Sequence, residues 1–215
     1  MSPVLVLGAT MANPDDDLIR NHVAKYLGTP DVLELRHILE CEPEISIMKV
    51  QLPHCNVLIT HGMSNQPMTA PPEHQKYTYA ELVLMLPKTW PLILPPLKDD
   101  DYWPIQWLLK LAYFPFEADT FIGGEYGVFS NGEPPEAFAS NTSLSCFLAM
   151  SEKSDFGCLK HADGRHIYFY TLFPLYAEER DFELQHGARA LLQRFQEFDI
   201  SVVLDPQRQN VCVPR

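Results

Sequence analysis

The chain has 215 residues, 46% hydrophobic and 20% charged, a composition that fits one globular domain with a sizeable core and speaks against long-range disorder. Sixteen basic residues against 28 acidic ones leave a net charge of −12. Phosphate binding needs a basic face, so nucleic acid is excluded as a partner, while a basic protein partner or solubility alone would explain the charge.

The N-terminal run Val4-Leu5-Val6-Leu7-Gly8-Ala9-Thr10 looks like the opening of a dinucleotide-binding fold. Met11-Ala12-Asn13 stand where its remaining glycines should be, so the likeness is weak. There is no basic segment of a signal peptide here, and the apolar run is too short to span a bilayer. A cytoplasmic protein with no membrane contact is expected, with reduced thiols at Cys41, Cys55, Cys146, Cys158 and Cys212. In that compartment the sequon Asn141-Thr142-Ser143 carries no meaning.

Asn13-Pro14-Asp15-Asp16-Asp17 starts a helix, with acids where the helix dipole favours them. Leu18, Ile19, Val23, Tyr26 and Leu27 form its apolar stripe, and Gly28 stops it. The three aspartates are read as capping rather than as a magnesium site. Three strands follow, over Val32 to Leu39, Ile45 to Leu52 and Val57 to Thr60. Strands this close together pair most simply as an antiparallel meander.

The third strand runs into Thr60-His61-Gly62-Met63-Ser64, a Gly-x-Ser turn of the kind that presents a nucleophile. A serine hydrolase using Ser64 with His61 as base is therefore one alternative. The second glycine of the hydrolase elbow is absent, however, and Pro67 discourages the helix that should carry the serine. The preferred reading is a core strand leaving the sheet at Gly62, with Met63 and Met68 packed and Ser64 bonded to turn backbone.

After the proline-rich loop Pro67 to Gln75, Tyr79 to Leu86 is the most apolar strand and the candidate centre of the sheet, closed by Pro87. Pro91 to Pro96 is an irregular connection. A helix is expected over Trp103 to Ala112, with Pro104 in its first turn and Trp107, Leu108 and Leu111 buried. Core packing is preferred over a binding platform for the pair Trp103 and Trp107. Pro115 to Pro135 is rich in turns. Gly123-Gly124-Glu125-Tyr126-Gly127 is followed by neither a helix nor a Lys-Ser/Thr pair, so it is not a phosphate loop.

Leu144 to Met150 and Ile167 to Phe173 are strands, with a type I′ turn at Asp163-Gly164 between them. One long helix spans about Glu178 to Glu197, with Phe182, Leu184, Leu191, Leu192, Phe195 and Phe198 on its apolar face. Ser201 to Leu204 is a candidate edge strand. His54-Cys55, His61 and Cys158 to His161 lack the paired clusters of structural zinc, so no metal and no cofactor is expected. The order of elements argues for an α+β fold: a mostly antiparallel central sheet with helices packed on it, in one domain over residues 1–215.

Five stretches in order, from about Asp31 to Asn210, resemble the suppressor-of-fused domain family. They are Leu58 to Ser64 with Pro67-Met68; Tyr79 to Pro87 with Trp90; Tyr102 to Ile105 running to Leu111 to Pro115; Asn131 to Pro135; and Phe173 to Tyr176 with Glu178-Glu179, His186 to Ala188 and Leu191-Leu192. The match looks nearest to the stand-alone bacterial type. The resemblance implies a non-enzymatic protein-binding domain. Eukaryotic relatives restrain a transcription factor, gripping a peptide as an added strand between this domain and a second one that this chain is too short to contain. Bacterial relatives are regarded as immunity proteins that neutralise a cognate toxin. The resemblance also places candidate partner-binding residues near Phe114 and Glu125, although core packing and a solvated loop acid are the plainer accounts of these two. An immunity-type protein that binds a basic toxin domain is thus the leading expectation, with the hydrolase or an intracellular signalling or scaffold protein as alternatives. Oligomeric state is not legible in the sequence.

Overall fold

The computed structural model describes residues 14–33, 43–92, 99–151 and 153–213. Among the described residues eight strands form one sheet: β1 (Asp31–Leu33), β2 (Ser46–Gln51), β3 (Cys55–His61), β4 (Tyr79–Pro87), β5 (Tyr126–Ser130), β6 (Cys146–Ser151), β7 (Cys158–Lys160) and β8 (His166–Leu175). Their order is β1-β2-β3-β4-β8-β6-β5, with β7 added on β8. The expected meander of the first three strands is present, β1 to β2 and β2 to β3 both antiparallel. All other pairs are antiparallel except β4 with β8, which makes the sheet mixed. That parallel pair needs a long crossover, and everything between Pro87 and His166 supplies it. β4 sits mid-sheet, as its apolar sequence leads one to expect.

Helices cover both faces. α2 (Asp99–Glu117) lies on one, where Trp103, Leu108, Leu111 and Ala112 pack with Leu58, Leu82, Leu84, Phe147 and Leu172. α1 (Pro14–Leu27) lies on the other, where Ile19 and Val23 meet Met48, Val57, Ile59 and Phe169. α3 (Ala177–His186) and α4 (Ala188–Glu197) cover the β6 end of that second face through Ala188, Leu191 and Phe195. Alternation explains the two layers: Phe147 and Ala149 of β6 face α2, whereas Cys146 and Leu148 face α4.

Several local expectations are corrected. α2 starts at Asp99 and ends at Glu117, so Pro104 is interior rather than in the first turn. Proline removes the N–H that would bond the Asp100 carbonyl, and Asn141 Nδ2 donates to that carbonyl instead, at 3.0 Å. Trp103 is the buried tryptophan; Trp107 is half-buried, and both rings pack on Phe138 and Phe147. The single long C-terminal helix is two helices, broken at Gly187, whose φ of 83° and ψ of 157° no helix accommodates. The break turns Leu184 and Phe198 out of the expected apolar face, to 65% and 36% exposure. Tyr26 of α1 is exposed to the same degree. The turn at Asp163-Gly164 joins β7 to β8 and is not type I′, because only Gly164 has positive φ. Gly164 N–H bonds the His161 carbonyl at 3.1 Å, leaving a longer loop with its left-handed residue last. Ser201 to Leu204 forms no strand. The expected strand beyond Leu33 and most of the segment Pro91 to Pro96 lie outside the described residues.

α1 is seated by an unusual contact. His22 stacks on Phe169 and Phe156, with ring centroids 5.1 and 5.7 Å away, and its Nε2 donates to the Phe156 carbonyl at 2.8 Å. Burial lowers the His22 pKa, with Lys25 adding to the effect. A folded-state pKa below the unfolded value means the unfolded chain takes up the proton first. His22 therefore contributes full stability above about pH 6.5, and that contribution is lost as pH falls through the folded value. Urea midpoints measured from pH 7.5 down to 5 should fall more steeply for the wild type than for His22→Leu. Equal slopes would show that the imidazole stays as easily protonated as in the unfolded chain.

Candidate functional site

The Gly-x-Ser turn after β3 is built around a carboxylate. Gly62 takes a φ of 109°, and a Cβ there would lie 2.2 Å from the Glu44 carbonyl oxygen, so only glycine lets the chain leave the sheet at this point. A 3₁₀ turn over Met63–Asn65 follows. Met63 and Met68 pack in the core as expected. Ser64 is fully buried, but its partner is not turn backbone. Its hydroxyl donates to Glu81 Oε1 at 2.7 Å and its N–H to the same oxygen at 3.0 Å. The Gly62 N–H reaches Oε1 at 3.2 Å, and Thr60 Oγ1 donates to Oε2 at 2.6 Å.

Glu81 is thus a fully buried carboxylate in β4 that holds the β3 turn with four donors. Burial pushes its pKa up to about 7, against the pull of those donors. His61 Nδ1 faces Ser46 Oγ at 3.3 Å. Ser64 and His61 therefore form no nucleophile and base pair, and a hydroxyl with no exposed surface cannot meet a substrate. Four cysteines, Cys55, Cys146, Cys158 and Cys212, are free thiols. No group of three or more His, Cys, Asp or Glu residues suited to a metal ion occurs among the described residues. No helix among them is long and apolar enough to cross a membrane.

The resemblance points to the segment after α2, and there the sheet ends. β5 is an edge strand: it pairs with β6 and with no other described strand. Its ladder contacts show which groups face outward. The Ser151 N–H bonds the Glu125 carbonyl at 3.0 Å and the Asn131 N–H bonds the Ser145 carbonyl at 2.9 Å. In an antiparallel pair the hydrogen-bonded residues alternate, so Gly127 and Phe129 also turn their backbone toward β6. The N–H and C=O groups of Tyr126, Val128 and Ser130 then point away from the sheet. β5 carries no charge and no proline, the usual devices that protect an edge.

Phe114, near the end of α2, is half-buried and packs edge-on against Phe129 of β5, with centroids 5.6 Å apart. The pair forms an apolar flank on the α2 side of the open edge. Glu125 lies just before β5, at the other end of the strand from Phe129. Lys153 Nζ is 2.5 Å from its Oε1 and Arg189 Nη2 is 3.2 Å from its Oε2. Lys153, followed by Arg189, holds the Glu125 carboxyl below the usual range. Glu125, Tyr126, Met150, Ser151, Lys153 and Ser154 line an open depression there. β5 places Phe114 and Glu125 along the same edge without bringing them into contact.

A buried ion pair orders the C-terminal segment. Glu179, fully buried in the first turn of α3, takes Arg208 Nη1 at 2.7 Å on Oε1 and Nη2 at 2.5 Å on Oε2. It also accepts the N–H groups of Tyr176 and Val211. Arg208 in turn donates to the Pro174 carbonyl and lies over the rings of Tyr176 and Phe195. A glutamate at this helix position is a recognisable capping residue; nothing in the sequence marks Arg208 as its partner.

Comparison with known proteins agrees with this architecture. A family model described as suppressor of fused protein (SUFU) matches residues 42–209. The fold is similar to that of a SUFU homologue from Neisseria gonorrhoeae FA 1090, with a TM-score of 0.58 and 18% identity over 93% of this chain and 98% of that one. It is similar to a chain of the Sufu-Fu complex, with a TM-score of 0.61 and 16% identity over 92% of each chain. Drosophila Suppressor of Fused gives a TM-score of 0.51 and 16% identity over 78% of this chain and 42% of that one. A search of curated proteins found no match.

Proposed function

The chain belongs to the suppressor of fused family, and we propose that it is a non-enzymatic protein-binding module of the immunity type, which neutralises a cognate toxin in the cytoplasm. The observation that carries this reading is the open edge of β5. Tyr126, Val128 and Ser130 turn backbone donors and acceptors away from β6, where no other described strand pairs with them, in a strand with no protecting charge. Strand addition gives affinity through main-chain hydrogen bonds and specificity through the flanking side chains. Here Phe114 with Phe129 would receive an apolar partner residue, and the cluster around Glu125 would fix one end of the strand. The net charge of −12 would speed the encounter with a basic toxin domain.

The test is co-expression of the chain with toxins encoded beside its gene. Growth should be rescued by the wild type. Val128→Pro should fail to rescue while remaining folded, because the outward N–H it removes takes no part in the β6 ladder. Rescue unaffected by the proline would place the binding surface elsewhere. If no neighbouring gene encodes a toxin and no toxin is neutralised, a signalling or scaffold role takes its place.

A further inference from the structure

The same edge is self-complementary. In the register 126 to 130′, 128 to 128′ and 130 to 126′, where primes mark a second copy, every outward-facing residue of β5 meets an outward-facing residue of its counterpart. The intervening pairs set Gly127 of one copy against Phe129 of the other, on the face shared with Phe114. On that face Gly127 lies under the Ile122 carbonyl, whose oxygen a Cβ would approach to 2.0 Å, so the strand needs glycine there. The two-fold axis would pass beside Val128.

Charge supports the same arrangement. Among the described side chains, the Tyr126 end of β5 is flanked by Lys153 and Arg189 with Glu125, two cations to one anion. The Ser130 end is flanked by Glu133 and Asp181 with Arg180, two anions to one cation; Arg180 reaches Ser130 Oγ at 3.4 Å. Lys153 and Arg189 are each 76% exposed, Glu133 77% and Asp181 54%, so these groups are open to a neighbour. Antiparallel pairing about Val128 sets each end against the opposite end of the other copy, twice over. Parallel pairing would set like against like.

We propose that β5 pairs with β5 of a second copy of this chain, antiparallel about Val128, in a reversible homodimer that covers the edge of β5. The inference shares only the open edge with the functional reading. If both hold, dimer and partner compete, and the monomer is the binding-competent form.

Sedimentation velocity on the purified chain tests it, over roughly 1–200 µM, a range that brackets weak association. The weight-average mass should rise with concentration toward twice the monomer. Val128→Pro should weaken dimerisation at least about tenfold, by deleting the central outward donor. The double variant Lys153→Glu/Arg189→Glu makes both ends acidic and should be monomeric. Glu133→Lys/Asp181→Lys makes both ends basic and should also be monomeric. Mixed, these two variants should form a heterodimer. A wild type that stays monomeric throughout, or a dimer indifferent to both the proline and the charge reversals, overturns the proposal. No toxin is present in this experiment, so its failure would not touch the neutralisation test.

Discussion

Replacing Glu81 with alanine will destabilise the fold by about 4 kcal/mol, the sum expected when two buried backbone N–H groups and two hydroxyls lose their acceptor. The N–H and the hydroxyl of Ser64 both point at Glu81 Oε1. Glutamine keeps the shape and one acceptor oxygen, so Glu81→Gln should cost far less. Urea denaturation of the two variants checks the ranking, and equal losses would mean that packing rather than hydrogen bonding dominates.

The same residue fixes a pH dependence opposite in sign to that of His22. Its folded pKa of about 7 lies above the ordinary 4.5. The folded chain therefore holds the proton more tightly than the unfolded one between these values. The hydroxyls of Ser64 and Thr60 can rotate to accept that proton. The stabilising contribution is complete below about pH 4.5 and is lost as pH rises through 7, roughly 3 kcal/mol in all. The wild type minus Glu81→Gln difference should shrink over that window as pH increases.

Arg208→Ala is expected to cost about 3–5 kcal/mol, because it leaves the Glu179 carboxylate buried and unpaired. Arg208 is mostly buried as well, between Tyr176 and Phe195, so part of the loss is packing. The pair as such is a weaker contributor than its halves. Glu179→Met/Arg208→Met, which replaces both charges with apolar side chains, should recover much of the loss. Thermal melts of the two single variants and the double variant check this. If the two single losses simply add in the double variant, the two charges are not coupled, and the account of a buried carboxylate left unpaired fails. The affected region would be the segment around Val211, whose N–H also bonds Glu179.

The elements legible in the sequence were those with a strong period and a clear stop. β4 reads as a continuous apolar strand, and it is central because both its faces are covered. α1 ends at Gly28 as its glycine signals. The expected long C-terminal helix is broken at Gly187 by the backbone of a single residue, which a count of apolar residues does not report. Pro104 sits inside α2 because the Asp100 carbonyl it leaves without an N–H is met by Asn141, 37 residues along the chain from the proline. β5 was hidden in a turn-rich stretch; its five residues have no apolar alternation and are all half-buried.

The resemblance points to two residues, and their surroundings are read from the structure alone. Phe114 and Glu125 came from resemblance, and they do lie along one edge. Only the sheet order reveals that no other described strand pairs with this edge. Glu125 also differs from a free acid awaiting a ligand, since Lys153 and Arg189 already hold it. The missing glycine distinguishes the Ser64 turn from a hydrolase elbow, but the partner of Ser64 is Glu81, a glutamate within an apolar strand, and not turn backbone. A lone charge among Ala80, Leu82, Val83 and Leu84 was the available signal. Buried carboxylates need partners, and the nearest turn with free N–H groups is the place to look.

Amide hydrogen exchange at Tyr126, Val128 and Ser130 tests strand addition at β5 most directly. It should be measured with the neighbour-encoded toxin absent and then at saturation, at a protein concentration low enough to keep the chain monomeric. Binding should protect these three amides strongly, while Gly127 and Phe129, already bonded within the sheet, change little. Toxin neutralised while Tyr126, Val128 and Ser130 exchange as fast as before would contradict strand addition at β5.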